Sequence, residues 1–86
     1  MTPEKLLQRA RGSPAGLRFA WLCRLAEAFG FAFQRQKGSH KIYAHDAARQ
    51  IMNFQNDRGM AKAYQVKQLL DCVDRHRLAL GSREHG

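Results

Sequence analysis

The sequence has few of the residues from which metal centres, redox sites and disulfide-rich folds are built. It contains two cysteines, Cys23 and Cys72, which lie far apart, each within an apolar helical pattern. No Cys or His pair has the spacing of zinc ligands, and the carboxylates are scattered, so we expect neither a metal nor a cofactor. Glycine-rich nucleotide-binding motifs are absent as well. We expect both thiols to be reduced and packed in the core.

Long apolar runs are also missing. No stretch approaches the ~20 apolar residues that a membrane-spanning helix requires, and residues 1–5 lack the apolar core of a secretory signal. We therefore expect a cytoplasmic protein with no membrane partner. The chain of 86 residues is long enough for one small domain, and its 44% of hydrophobic residues is typical of globular proteins.

Acidic residues are scarce compared with basic ones. The chain carries 15 Lys and Arg against 7 Asp and Glu, and its formal net charge is +8. Residues 31–67 hold seven of these cations and two of the acids, so the excess is greatest in the middle of the chain. Ten of the cations are Arg, whose guanidinium binds phosphate with two hydrogen bonds. This balance favours a nucleic-acid partner, with an acidic protein as the alternative.

The first third of the chain has the pattern of two helices. Thr2 and Pro3 suit a helix start, and this first helix is predicted to run to about residue 10, before the break at residues 12–16. We expect it to pack loosely or to bind a partner. A second apolar stripe with helical spacing covers residues 20–29, and Gly30 is placed to end that helix. Trp21 lies off the stripe. It could pack against the first helix or be exposed at an interface, and we expect it to pack in or near the core.

From Phe31 the apolar period changes to two, which predicts β-strands. Phe31 and Phe33 are expected on one buried face, and residues 37–39 form the first turn. The next two strands cover residues 40–45 and 50–54, although the faces of residues 51–54 stay ambiguous. A last amphipathic helix covers residues 63–77.

This order predicts an α+β fold in which two helices cover one face of a three-stranded antiparallel sheet. The two-layer α-β-β-β-α order matches the double-stranded-RNA-binding domain (dsRBD), with an extra N-terminal helix, and a match at this level assigns no function. We divide the chain into an N-terminal helix and linker at 1–16, a dsRBD-like domain at 17–78, and a flexible tail at 79–86.

One histidine stands among cations at a strand start. Arg35 and Lys37 precede the Gly38-Ser39 corner, His40 follows it, and Lys41 comes next. RNA cleavage without a metal needs a base for the 2′-hydroxyl and cations for the phosphorane. Imidazole can act as that base, because it exchanges its proton near neutral pH. Gly38 allows close approach of the substrate, and Ser39 can donate a hydrogen bond.

Other histidines are poorly placed to join this site. His45 is five residues after His40 and therefore faces the other side of a regular strand. His76 and His85 lie near the end of the last helix and in the tail. The general acid thus stays unidentified. In the polar loop at residues 55–62, Arg58 and Lys62 are further candidates for phosphate contacts.

The sequence also resembles a known family. Gly30-Phe31 at a helix exit, the run from Arg35 to Tyr43 (RQKGSHKIY) and Val66-Lys67-Gln68-Leu69-Leu70 resemble the HicA toxins of toxin–antitoxin systems. The resemblance covers about residues 19–78. It implies a small endoribonuclease that cleaves mRNA and arrests growth, with His40 as its catalytic residue. It also implies a HicB-type antitoxin that covers the active site.

Two further hypotheses remain open. One is a non-catalytic double-stranded-RNA-binding module, although such domains usually carry a dense lysine cluster at the start of the last helix, where this chain has only Lys62 and Lys67. The other is a protein-binding subunit whose basic face meets an acidic partner. RNA cleavage by the purified free protein distinguishes the toxin from both.

Overall fold

Three α-helices and a three-stranded antiparallel sheet make up residues 1–81, the part of the chain that the computed structural model describes. The elements are α1 (Pro3–Gly12), a short 3-10 turn (Pro14–Gly16), α2 (Phe19–Ala28), β1 (Ala32–Lys37), β2 (His40–His45), β3 (Gln50–Gln55) and α3 (Ala63–His76). The predicted α+β, dsRBD-like order with an extra N-terminal helix is therefore confirmed.

The helix ends follow the local signals in the sequence. Thr2 caps α1, because its Oγ1 accepts a hydrogen bond from the Lys5 backbone N–H at 3.2 Å. After α2 the chain turns at Gly30, whose φ of +101° suits glycine. A Cβ at this position would also lie 3.0 Å from Nε2 of His45, so the turn packs closely against β2.

The sheet has the order β1-β2-β3, so β2 is the central strand. Tyr43 in the middle of β2 pairs with Phe33 on one side and with Met52 on the other. The β2–β3 pairing is regular, whereas the β1–β2 pairing shifts register between Phe33 and Arg35. The β1–β2 turn passes through Gly38, whose φ is +59°.

One face of the sheet is covered by helices and the other is open. Tyr43, Met52 and Phe54 are buried on the helix-covered face, where they join apolar side chains of α2 and α3. Side chains alternate along a strand, so Ile51 and Asn53 lie on the open face, and 72% of the Ile51 side chain is exposed. The structure thus resolves the ambiguous faces of β3.

Phe33 does not share the buried environment of Phe31, contrary to the sequence prediction. Phe31 is buried, whereas Phe33 is 48% exposed. Phe33 does face the helix side, where its ring contacts that of Tyr43 at a centroid distance of 5.8 Å. The reason for its exposure is its place in β1, an edge strand with no neighbour beyond it in the described sheet.

The first helix is an integral part of the core, so the expectation of loose packing was wrong. Leu6 and Ala10 of α1 are fully buried against α2 and α3. Arg11 pairs with Asp74 of α3, with 2.8 Å between Nη2 and Oδ1. Trp21 does lie against α1, because the guanidinium of Arg9 stands 5.3 Å from its ring centroid.

The remaining predictions concern the tail, the thiols and the membrane. Leu80 packs against the core, and the Gly81 N–H donates to the Ala28 carbonyl at 3.0 Å, while residues 82–86 of the predicted flexible tail lie outside the described residues. Cys23 and Cys72 are both free and buried. No helix within residues 1–81 has the length and apolar character needed to cross a bilayer.

Truncation of Leu6 tests the integration of α1. Leu6→Ala should lower the free energy of unfolding by about 2–5 kcal/mol, because the cavity it leaves is enclosed by three helices. Urea denaturation followed by circular dichroism measures the loss. Gln8→Ala on the exposed side of the same helix is the control, and equal stability of the two variants would contradict this packing.

The thiols give a test that depends on their pKa. Burial raises the pKa of both Cys23 and Cys72, and a hydrogen bond with Tyr43 opposes this effect at Cys23. At pH 8 the folded protein should therefore react slowly with a chromogenic disulfide reagent, and two thiols should react rapidly after unfolding in guanidinium. Absence of free thiols in the unfolded, unreduced protein would reveal a disulfide instead.

Candidate active site at the β1–β2 corner

His40 is the first residue of β2 and follows directly on the β1–β2 turn. It lies on the open face of the sheet together with Ile42, because Lys41 and Tyr43 alternate onto the helix-covered face. The side chain is partly exposed. Its ring is therefore accessible from solvent and is not packed beneath the helices.

Three cationic or ionisable side chains meet around a depression of about 550 Å³ on this face. Arg35 and Lys37 of β1 line it together with His40, as the sequence predicted. Gly38 and Ser39 form its rim at the turn, and Ile42 and Asn53 complete its floor.

The bulge in β1 is what brings Arg35 to this face. Phe33 pairs with Tyr43, which points toward the helices, whereas Arg35 pairs with Ile42, which points away from them. In a regular strand, residues two apart share a face, so Phe33 and Arg35 would lie on the same side. The register shift between them places Phe33 and Arg35 on opposite faces.

The cations of the depression have no acidic partners within the described part of the chain. The four ion pairs found among residues 1–81 join Arg11 to Asp74, Arg58 and Lys62 to Asp57, and Arg75 to Asp71. Arg35 and Lys37 take part in none of them. Their charges are therefore available to an anionic ligand.

Asn53 of β3 fixes the orientation of the His40 ring. The Oδ1 atom of Asn53 lies 2.8 Å from Nδ1 of His40 on the neighbouring strand β2. An amide oxygen can only accept, so Nδ1 carries the proton of the neutral imidazole. Nε2 then keeps a free lone pair, as a general base requires. Sequence reasoning missed Asn53, because only the register of β2 on β3 reveals that it neighbours His40.

Lys41 lies away from this depression, contrary to its predicted place beside His40. It is on the helix-covered face, where its Nζ stands 5.9 Å from the Phe19 ring centroid and 5.8 Å from that of Phe33. The alternation of side chains along β2 is the reason.

Arg58 and Lys62 lie outside the depression around His40 as well. Arg58 lines a separate depression beside Trp21 and Met60, and Nζ of Lys62 lies 3.5 Å from a carboxylate oxygen of Asp57. Neither of them lines the depression around His40.

His45 is on the helix-covered face, as expected from its spacing. Its ring packs edge-on against Phe31 at 5.1 Å, and its Nδ1 accepts a hydrogen bond from the Ala48 N–H. No second histidine of residues 1–81 lines the depression. Within these residues no group of three or more His, Cys, Asp or Glu side chains is arranged to hold a metal ion.

Comparison with known proteins identifies the family. The family model of the HicA toxin of bacterial toxin–antitoxin systems matches residues 21–71, more than half of the chain. The chain belongs to the HicA family. This membership makes it a toxin and implies an antitoxin partner. The matched segment includes the whole β-sheet with His40, and it leaves out α1. No significant match was found among curated proteins or among solved structures.

The contact between His40 and Asn53 predicts a tautomer. Long-range proton–nitrogen correlation spectra of the ¹⁵N-labelled toxin should show neutral His40 protonated at Nδ1, since Asn53 accepts that proton. Asn53→Leu removes the acceptor with little change in volume and should abolish this preference. The exposed His76 should be unaffected and is the control. A neutral His40 protonated at Nε2 in the wild type would contradict the arrangement.

Proposed function

We propose that this HicA-family toxin is a metal-independent endoribonuclease that cleaves mRNA and thereby inhibits translation and growth. One observation carries the proposal. A solvent-accessible imidazole, oriented through Nδ1 by Asn53, shares an open depression with the unpaired cations of Arg35 and Lys37.

In this mechanism Nε2 of His40 takes the proton of a 2′-hydroxyl. The 2′-oxygen then attacks the adjacent phosphorus, and the bond from phosphorus to the 5′-oxygen breaks. The products are a 2′,3′-cyclic phosphate and a 5′-hydroxyl. We assign protonation of the departing oxygen to water, because no second histidine of the described residues lines the depression.

Arg35 and Lys37 act on the charge that develops during this step. The five-coordinate phosphorane concentrates negative charge on its non-bridging oxygens, and cations that are already in place stabilise it without reorganisation. Arg35 can contact two of these oxygens at once with its guanidinium, whereas Lys37 acts as a point charge.

The corner between the strands provides access for the phosphate. Gly38 adopts a φ of +59°, and a Cβ there would have no atom of a residue beyond its two chain neighbours within 4 Å, so the turn is uncrowded. The Ser39 carbonyl is engaged by the Asn56 N–H at 2.7 Å, which fastens the corner to the end of β3. The exposed Ser39 hydroxyl can donate a hydrogen bond to a phosphate oxygen.

The proposed partner is a HicB-type antitoxin that covers the depression. A protein surface with carboxylates opposite Arg35 and Lys37 would neutralise the same charges that the RNA phosphate requires. Antitoxin and RNA would therefore compete for one face of the sheet.

A non-catalytic RNA-binding module remains the second candidate, because the dsRBD-like order and the basic open face fit that function as well. The two candidates differ in what His40 does. Loss of this histidine would leave duplex binding nearly unchanged in a binding module, whereas it would strongly reduce the rate of cleavage in a nuclease.

Replacement of His40 tests the nuclease. His40→Ala should reduce cleavage of a defined RNA by about 10²–10⁴-fold, because it removes the general base. Cleavage is measured by gel electrophoresis of end-labelled RNA in the presence of a chelator, and growth is measured after induced expression. The variant should relieve growth arrest and keep the wild-type melting temperature, since His40 lies on the open face.

His76→Ala is the matched control, because it removes an exposed histidine at the end of α3. It should cleave RNA at the wild-type rate. Wild-type toxin that leaves RNA intact, or His40→Ala that cleaves it as fast as His76→Ala, would refute the catalytic assignment.

A further inference from the structure

A second cleft lies on the other flank of the same corner. It has a volume of about 480 Å³ and lies between α2 and the β1–β2 hairpin. Gly38 and Ser39 line both this cleft and the depression around His40, so the two adjoin at the turn and otherwise lie on opposite faces of the hairpin. We call it the helix-side cleft. Its polar and charged lining comes mainly from Arg24, Glu27, Gln36, Lys41 and Asn56.

Lys41 presents a cation in this cleft, next to two aromatic rings. Its ammonium group lies within 6 Å of the ring centroids of both Phe19 and Phe33. Such cation–π contacts hold the charge without neutralising it. Neither Lys41 nor Arg24 forms an ion pair with any residue of 1–81. The cleft also contains one acidic residue, Glu27, whose Oε2 accepts a hydrogen bond from the Tyr43 hydroxyl at 3.1 Å, so its lining has two basic side chains and one acidic one.

Phe33 adds an aromatic surface beside this cation. About half of its side chain, 48%, is exposed, although its ring also contacts the buried Tyr43. An exposed ring next to an unpaired cation is the arrangement with which proteins bind single-stranded nucleic acid, because the ring stacks on a base and the cation binds its phosphate. Every base has a π-face, so such stacking depends little on sequence.

We propose that the helix-side cleft and the Phe33 ring, which lies outside the cleft lining but next to Lys41, together form a second RNA subsite, which binds the phosphate and the unpaired base of a nucleotide that flanks the scissile phosphate. Lys41 and Arg24 bind the phosphate, and Phe33 stacks on the base. The RNA strand passes over the small Gly38-Ser39 corner from one flank to the other. This subsite rests on the proposed nuclease function and defines its substrate as single-stranded RNA.

Duplex RNA is a poor ligand for this subsite. A paired base is stacked on its neighbours inside the helix and cannot lie flat on the Phe33 ring. The subsite would therefore select unpaired RNA through stacking on Phe33 and contacts to phosphate, without hydrogen bonds to the edges of the bases.

Binding is measured in a His40→Ala background, so that the RNA stays intact. The probe is a fluorescein-labelled single-stranded RNA of mixed sequence, titrated in anisotropy at several salt concentrations. Lys41→Met removes the charge but keeps an apolar chain between the two rings. It should weaken binding about tenfold, the effect of losing a charged hydrogen bond. The slope of log affinity against log salt should become smaller by about 0.7, the value for one phosphate on a single strand.

Lys67→Met is the matched control for charge, because it removes an exposed cation on α3 that lines neither the depression nor the cleft. It should leave affinity and salt slope near those of the parent. For the aromatic ring, Phe33→Leu should weaken binding of the single strand by about fivefold or more, whereas Phe33→Trp should retain it. A duplex of the same sequence should bind both Phe33 variants equally.

The outcomes separate the subsite from the catalytic proposal. The subsite would be overturned if Lys41→Met and Lys67→Met bound the single strand with equal affinity. It would also be overturned if Phe33→Leu and Phe33→Trp bound equally, or if no binding of single-stranded RNA were detected. Wild-type toxin that binds as described but leaves RNA uncut would overturn catalysis and keep the subsite. In an active toxin, Lys41→Met should raise KM with little change in kcat, because the flanking nucleotide is bound equally in the ground and transition states.

Discussion

Side chains alternate between the faces of a regular β-strand, so Phe33 and Arg35 would share one side if β1 were regular. The bulge between them allows the half-exposed Phe33 ring to contact Tyr43 on the helix side, while the Arg35 guanidinium lines the depression at His40. Without the extra residue of the bulge, either the Phe33 ring would no longer contact Tyr43 or the Arg35 guanidinium would no longer line the depression. A bulge of this kind re-aims a side chain at modest cost, because an edge strand loses few ladder hydrogen bonds. The cationic depression and the helix-side cleft therefore depend on the same irregularity.

The central strand has the opposite requirement, because its register must stay regular. Tyr43 is buried, its hydroxyl donates to Glu27, and burial raises the pKa of the phenol, so it remains a neutral donor. A slip of β2 by one residue would expose this ring and move His40 beneath the helices. The buried tyrosine thus fixes which face the histidine occupies. The same alternation carries Lys41 to the other flank, and the hairpin consequently presents cations on both of its sides.

Much of this arrangement could be predicted from local patterns. The helix start at Thr2, the turn at Gly38 and the position of His40 at the head of a strand follow from capping, turn and periodicity signals. Alternation alone also separates Lys41 from His40, and the prediction of a single clamp overlooked this consequence. The bulge and the contact of Asn53 with His40 were beyond local reasoning, because both depend on the register of strands that are distant in sequence. The burial of α1 depends in the same way on contacts with α2 and α3, which follow it in the sequence.

The charges of the fold reinforce this geometry. Acidic residues of α3 pair with Arg11 and Arg75, and Asp57 pairs with the loop cations, so these parts of the surface are largely neutralised. Arg35, Lys37 and Lys41 of the hairpin pair with no acid among residues 1–81, so positive charge remains on both faces of the hairpin. At physiological ionic strength the Debye length is about 8 Å, so charges on distant elements contribute little there. The hairpin cations must attract the ligand by themselves. They can do so because Arg35, Lys37 and Lys41 are grouped around the β1–β2 turn.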